Sequence, residues 1–156
     1  MVFNFIDESL YQRRLKKIEP LYSKAIKSID ETHQLNDLVN KFSKDLLKSH
    51  GKSFDVNLGK TDRRKYKLGN CFANSIQKMS RDRFNYVEGY FQDNLTGSKI
   101  AHAWNCDNEG NHFDFTLTSI ANKKFVGIII PSTILYDVGE KNGYIWFATL
   151  PFLKIE

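Results

Sequence analysis

Only two cysteines, Cys71 and Cys106, occur in the 156 residues, too few for a disulfide framework. Either thiol is expected to be free, catalytic or metal-binding, as in a reducing compartment. Long apolar runs are also missing. The longest, "FVGIIIP" at 125–131, falls far short of the roughly 20 residues a spanning helix needs, so no membrane association is expected. The opening "MVFNFIDESLYQRRLKKIEP" has no basic segment followed by a long apolar one and does not read as a signal peptide. These absences lead to the expectation of a soluble, cytoplasmic protein, in the host cytoplasm if the chain is phage-encoded or an injected effector. There is no internal repeat and no low-complexity segment. A hydrophobic content of 41% with 13% aromatics excludes general disorder. The length suits one domain, 1–156, with a core of its own.

Charge is what the chain has in excess. The net charge of +5 favours the approach of acidic partners. Basic residues gather in "LKSHGKSFDVNLGKTDRRKYKLG". One reading is a solvated loop; the other is nucleic-acid contact through Lys60, Arg63, Arg64, Lys65 and Lys67. No aromatic-interleaved binding motif accompanies them.

Periodicity divides the chain into a helical part, about 8–82, and a sheet part, about 83–153. Leu10, Leu15, Ile18, Leu21, Tyr22, Ala25, Ile26 and Ile29 recur at helical spacing, with Pro20 as a kink or break. Leu35, Leu38, Val39, Phe42 and Leu46 make a second amphipathic pattern. A long connection with Gly51, Gly59 and Gly69 follows, of a length that is often functional. A short helix is expected after Cys71, with Phe72, Ile76 and Met79 on one face. Five strands are expected next, at "FNYVEGYF", "KIAHAWNC", "NHFDFTLT", "KFVGIIIP" and "GYIWFATL", with "DVGEKNG" as a turn before the last. Their short connections favour antiparallel neighbours. Helices first and strands afterwards make an α+β domain.

Strand alternation places His102 with Trp104 and Ile100, opposite Ala101, Ala103 and Asn105. In "NHFDFTLT", His112, Asp114 and Thr116 share a face. Joined through "DNEGN", the two strands bring His102 and Asp114 onto one surface, where the carboxylate can orient the imidazole. Cys71 sits where loop becomes helix, and a helix N-terminus favours a thiolate and offers free N–H groups to an oxyanion. The expected set is Cys71 as nucleophile, His102 as base and then acid, and Asp114 as orienter. A metal set of His102, Cys106, His112 and Asp114 is the rival, but its spacing matches no zinc signature.

In order, "GNCFANS", "YVEGYF", "HAWN" and "GNHFDFT" resemble the core of the transglutaminase-like superfamily of papain-like cysteine enzymes. The resemblance spans about residues 68–118. It implies that Cys71, His102 and Asp114 are nucleophile, base and third triad member. Gly89, Tyr90, Ala103, Trp104 and Thr116 match the accompanying structural positions. It implies a papain-like, transglutaminase-like α+β fold, with N-terminal helices and a Cys-bearing helix packed on an antiparallel sheet of about five strands. Phe115 sits between Asp114 and Thr116, where the family often has an aromatic residue or proline as in "DPT", and no calcium-site acids of the large animal transglutaminases are present.

Around this set, Asn70 is read as a helix cap or an oxyanion donor, and Trp104 as core or cleft wall. Asn105 and Gln92 are candidate polar cleft residues, and His112 is a secondary base. Cys106 is a passive thiol or a partner for a silencing bridge to Cys71. The functional expectation is a cysteine-dependent acyl-transfer enzyme: peptidase, amidase, glutamine deamidase or transglutaminase. It would act through a thioester on a protein or peptide amide, with no metal or organic cofactor. The alternative is a non-catalytic basic binding or inhibitor module on the same fold, contacting a nucleic acid or a nucleic-acid-handling protein.

Overall fold

The computed structural model describes residues 3–5, 13, 41, 43–142, 149–150 and 153–155. Its elements run β1 (Phe3–Phe5), β2 (Lys52–Phe54), β3 (Val56–Leu58), α1 (Cys71–Asp82), β4 (Asn85–Asp93), β5 (Lys99–Cys106), β6 (His112–Asp114), β7 (Lys123–Ile130), α2 (Ser132–Asn142) and β8 (Leu153–Ile155). Residues 43–50 are also helical, the end of the second amphipathic pattern, with Ser43 and Leu47 buried. The expected helix over 10–29 lies outside the described residues, apart from Arg13, which is helical. The architecture is α+β.

Six strands form a mixed sheet in the order β2-β7-β4-β5-β6-β3, and β1 pairs with β8 in a separate antiparallel ribbon. β2 and β3 occupy opposite edges of the sheet although only Asp55 separates them in sequence. One residue spans at most about 3.6 Å. The sheet therefore has to curl until its two edges nearly meet. Val56, Val87, Phe91, Trp104, Cys106 and Phe125 form a core cluster, with Phe54, Leu117 and Ile120 packed against it.

Two glycines permit that curl beside His102. Gly89 pairs with His102 on one side and with Gly127 on the other. A Cβ on Gly89 would lie 2.0 Å from the Val126 carbonyl oxygen, and one on Gly127 would lie 2.5 Å from the Trp104 ring. Neither position has room for a side chain, so the row His102–Gly89–Gly127 lets neighbouring strands and the indole close in.

Several expectations are corrected. The connection after residue 50 contains β2 and β3, which are edge strands of three residues each, too short to show alternation. β3 pairs with β6 in parallel, so the sheet is not wholly antiparallel. β6 stops at Asp114 instead of running to 118, because Asp114 Oδ1 accepts the N–H groups of Thr116 (2.8 Å) and Leu117 (2.7 Å). Those donors fold the chain into a turn and are lost to a ladder. Residues 137–142 of the turn expected at "DVGEKNG" belong to α2, which buries Leu135 and Val138 one turn apart. Residues 143–148 of the expected last strand lie outside the described residues, and Thr149 and Leu150 are not in a strand.

Helix α1 begins after Gly69, whose φ of 80° turns the chain, and ends at Arg83 in the left-handed conformation. Its buried residues are Cys71, Asn74, Ser75 and Met79, whereas Phe72 and Ile76 are only half-buried, so the expected apolar face is rotated. The helix packs against β5, where Asn105 Nδ2 donates to the Ser75 carbonyl (2.9 Å).

Candidate active site

Each member of the Cys-His-Asp set sits at a structural boundary or on a central strand. Cys71 is the first residue of α1, His102 lies in β5 and Asp114 closes β6. Strands β5 and β6 pair antiparallel through Asn105↔Phe113 and Cys106↔His112. Continuing that register sets Asp114 beside Trp104, diagonal to His102 and within reach of its ring. His102 Nε2 and Asp114 Oδ2 form a short hydrogen bond. The set is deeply placed: Asp114 is 0% exposed, His102 3% and Cys71 8%. A buried carboxylate needs hydrogen-bond donors on both oxygens to offset its lost hydration. Asp114 meets this with the imidazole on Oδ2 and two backbone N–H groups on Oδ1.

Burial by itself would push the His102 imidazole down. The hydrogen bond to Asp114 and the proximity of Cys71 reverse this and raise it from 6.5 to about 9. Nε2 is taken by the carboxylate, which leaves Nδ1 as the ring nitrogen free of Asp114. Asp114 responds in the opposite direction. Its burial pushes upward, but the His102 bond and the two backbone donors hold the carboxyl below its ordinary value. The edge of Phe91 meets the His102 ring at 5.2 Å and the Trp104 indole stacks at 6.4 Å, so the imidazole has little freedom to turn.

A strap of chain between β3 and α1 links the start of α1 to Asp114 and the turn after it. The Gly59 N–H donates to Asp114 O (2.8 Å), and the Thr61 hydroxyl reaches Phe115 O (3.2 Å). The Arg63 guanidinium donates to the carbonyls of Thr116 (2.7 Å) and Leu117 (3.1 Å). On the helix, Asn74 Nδ2 donates to Lys67 O (2.8 Å) and Thr116 Oγ1 (3.0 Å). The loop that delivers Cys71 is thus bonded to the turn that fixes Asp114. Asn74 was not singled out by sequence reasoning. Its signal was a polar residue three positions after Cys71, on the helix face that is buried.

Other sequence candidates fall away from this centre. Asn70 occupies the N-cap position but makes no side-chain cap bond. The first helical bond is Asn74 N–H to Asn70 O (2.8 Å), so the N–H groups of Cys71, Phe72 and Ala73 precede the ladder. Trp104 is fully buried core, and its Nε1–H donates to His112 Nδ1 (2.9 Å). His112 also stacks on Phe54 at 4.0 Å, and burial pushes it down, so it supports the indole and does not serve Asp114. Asn105 and Gln92 lie on the sheet face opposite His102 by strand alternation. Asn105 donates there to Ser75 and Asn85 carbonyls instead of lining a cleft. Cys106 is free, buried in the core cluster and pushed up by that burial. Of the metal reading, His102 and Asp114 bond each other while His112 meets Trp104 and Cys106 lies in the core, and among the described residues no group of three or more His, Cys, Asp or Glu is placed to hold a metal.

A second buried polar centre had no sequence signal. Glu88, 1% exposed on β4, accepts at Oε2 from the Tyr86 hydroxyl (2.8 Å), the Thr149 N–H (2.9 Å) and the Thr149 hydroxyl. Oε1 accepts from the Leu150 N–H (2.9 Å). This carboxylate anchors the segment near the C-terminus to the central strand. Burial raises Glu88 above its ordinary range despite these donors, and it raises Tyr86 well above its own, with the Glu88 charge adding to the effect.

No protein-family model, curated protein or solved structure matches this chain. No helix among the described residues is long and apolar enough to cross a membrane.

Proposed function

We propose that the chain is a cysteine-dependent acyl-transfer enzyme of the transglutaminase-like, papain-like class, acting on a protein or peptide amide inside a cell. The observation that carries this reading is the buried His102, bonded to Asp114 and raised to about 9 with Cys71 contributing to that raise. A cysteine at a helix start, packed against a mixed sheet that presents His and then Asp, supports the class as well.

In this mechanism Cys71 Sγ attacks the amide carbonyl carbon, and the bond to sulfur forms as the carbonyl oxygen takes negative charge. The N–H groups at the start of α1 hold that oxygen. The imidazolium of His102 gives its proton to the leaving nitrogen, the C–N bond breaks, and a thioester remains. Water activated by the now neutral His102 releases the acid, giving hydrolysis or glutamine deamidation. An amine in place of water gives transamidation. Asp114 holds the ring in the tautomer and orientation both steps need. The reaction requires no metal or organic cofactor.

Alkylation with iodoacetamide at neutral pH, read by mass spectrometry, tests the reading. Cys71 is expected to react much faster than Cys106, and Cys71→Ala to abolish amide turnover. Equal, slow labelling of both thiols in the folded protein would sink it. The rival binding module draws on the exposed Lys60, Arg64, Lys65 and Lys67, while Arg63 is bonded to carbonyls. It would be favoured by function that survives Cys71→Ala and is lost on charge reversal of those lysines.

A further inference from the structure

Exposed apolar side chains scattered singly are ordinary on a protein surface. Three of them here each flank a different member of the triad. Leu68 is 62% exposed and precedes Cys71 by three residues, a separation of at most about 10 Å. Ile100 is 48% exposed and lies two residues before His102 on the same strand face, about 6.8 Å away. Leu58 is 44% exposed and is the register partner of Asp114 in the parallel pair of β3 and β6. Gly69, turning at a φ of 80° with open space around its Cα, separates Leu68 from the helix start.

The same strap is strongly basic. Residues 59–70 carry Lys60, Arg63, Arg64, Lys65 and Lys67 against the single acid Asp62. Arg63 is turned to the Thr116 and Leu117 carbonyls and Arg64 pairs with Asp62 at 3.3 Å. Lys65 is exposed within Coulombic reach of Asp82. Lys60 and Lys67 are exposed and form no ion pair among the described residues.

We infer that the substrate of this site is an acidic polypeptide segment with an apolar side chain beside the reacting amide, docked along the strap between Leu58 and Leu68. The inference rests on the cysteine acyl-transfer reading and narrows it to a substrate class. Apolar contact with Leu68 and Ile100 sets the register of the amide over Cys71, and the lysines steer and hold the flanking carboxylates.

Chloroacetylated peptides of equal length supply the test, since the Cys71 thiolate displaces chloride and leaves a thioether that mass spectrometry counts. One peptide carries leucine and two glutamates, one leucine and two lysines, and one alanine and two glutamates. Each rate is divided by the iodoacetamide rate on the same protein. The leucine–glutamate peptide is expected to react about tenfold faster than the leucine–lysine one, and the gap to close at high salt. Lys65→Glu with Lys67→Glu is expected to invert the charge preference, and Leu68→Ser to erase the leucine advantage. Equal normalised rates for all three peptides, with Cys71 still the fast thiol, overturn the substrate class and leave the acyl-transfer reading standing. Failure of iodoacetamide itself to select Cys71 overturns both. The salt dependence is read on the wild-type chain and so survives any variant that does not fold.

Discussion

Asp114 and Glu88 are both carboxylates sealed in the same sheet, yet their environments drive them in opposite directions. Burial pushes both upward. At Glu88 the donors are two hydroxyls and two backbone N–H groups, all neutral, and the group stays raised. At Asp114 two backbone donors are joined by an imidazole that can carry a full charge, and the group ends below its ordinary value. A partner's charge, more than the number of hydrogen bonds, decides whether a buried carboxyl is kept ionised. One centre is consequently suited to organising a reactive base, and the other to fastening a chain segment.

Removing each carboxylate should separate the two roles most strongly. Asp114→Ala leaves His102 and two N–H groups without their acceptor, and its expected cost is about 3–5 kcal/mol in urea unfolding, with Cys71 alkylation slowed sharply. A cost below that of the corresponding Glu88 variant would contradict an ionised pair at Asp114.

The next effect is in pH. His102 is raised in the folded state, so its contribution is complete below 6.5 and is lost as pH climbs through about 9. About 3 kcal/mol should disappear across that window. An NMR titration of the ring should show its midpoint near 9, moving back toward the ordinary histidine value in Asp114→Asn. A midpoint that is already ordinary in the wild type would dissolve the contrast between the two centres.

Glu88→Gln should cost about 1–3 kcal/mol, because the amide oxygen replaces part of the acceptor set and its NH2 meets donors. In acid the two carboxylates should oppose each other. Asp114, lowered, loses its stabilisation as pH falls below its unfolded 3.8, whereas Glu88, raised, costs stability as pH rises above 4.5. Urea midpoints between pH 3 and 6 should therefore steepen in acid for Glu88→Gln and flatten for Asp114→Asn. The smallest effect belongs to Arg63→Ala, about 1–2 kcal/mol, with slower Cys71 alkylation as the strap loosens. Unchanged alkylation there would show that the strap stabilises the turn without positioning the thiol.

The residues legible from sequence were those governed by local geometry. A cysteine after "KLGN" at the start of an amphipathic run marks a helix N-terminus whatever else the chain does. His102 and Trp104 share a face through alternation alone, and "DNEGN" turns the chain so that Asp114 returns near them. What failed to show was short or distant. β2 has three residues and pairs Lys52 with Gly127, far along the chain, so no local pattern announces it. α2 buries only Leu135, Val138 and little else among its described side chains, and its glycine and acids resemble turn chemistry. β6 is shorter than its alternation predicts, because the Asp114 carboxylate captures the N–H groups that further pairing would use.

By itself, the sequence determined the chemical groups, the helix that begins at Cys71 and the strand faces that carry His102 and Asp114, since backbone geometry over a few residues decides these. Tertiary structure decided what each group meets. It curled the sheet through Asp55, turned Arg63 from its place in a basic run to the Thr116 and Leu117 carbonyls, and made Trp104 and His112 support each other in the core. It also gave Asp114 a chargeable partner and Glu88 only neutral ones. Burial and charge act between residues far apart in the chain, and folding alone determines which of them become neighbours.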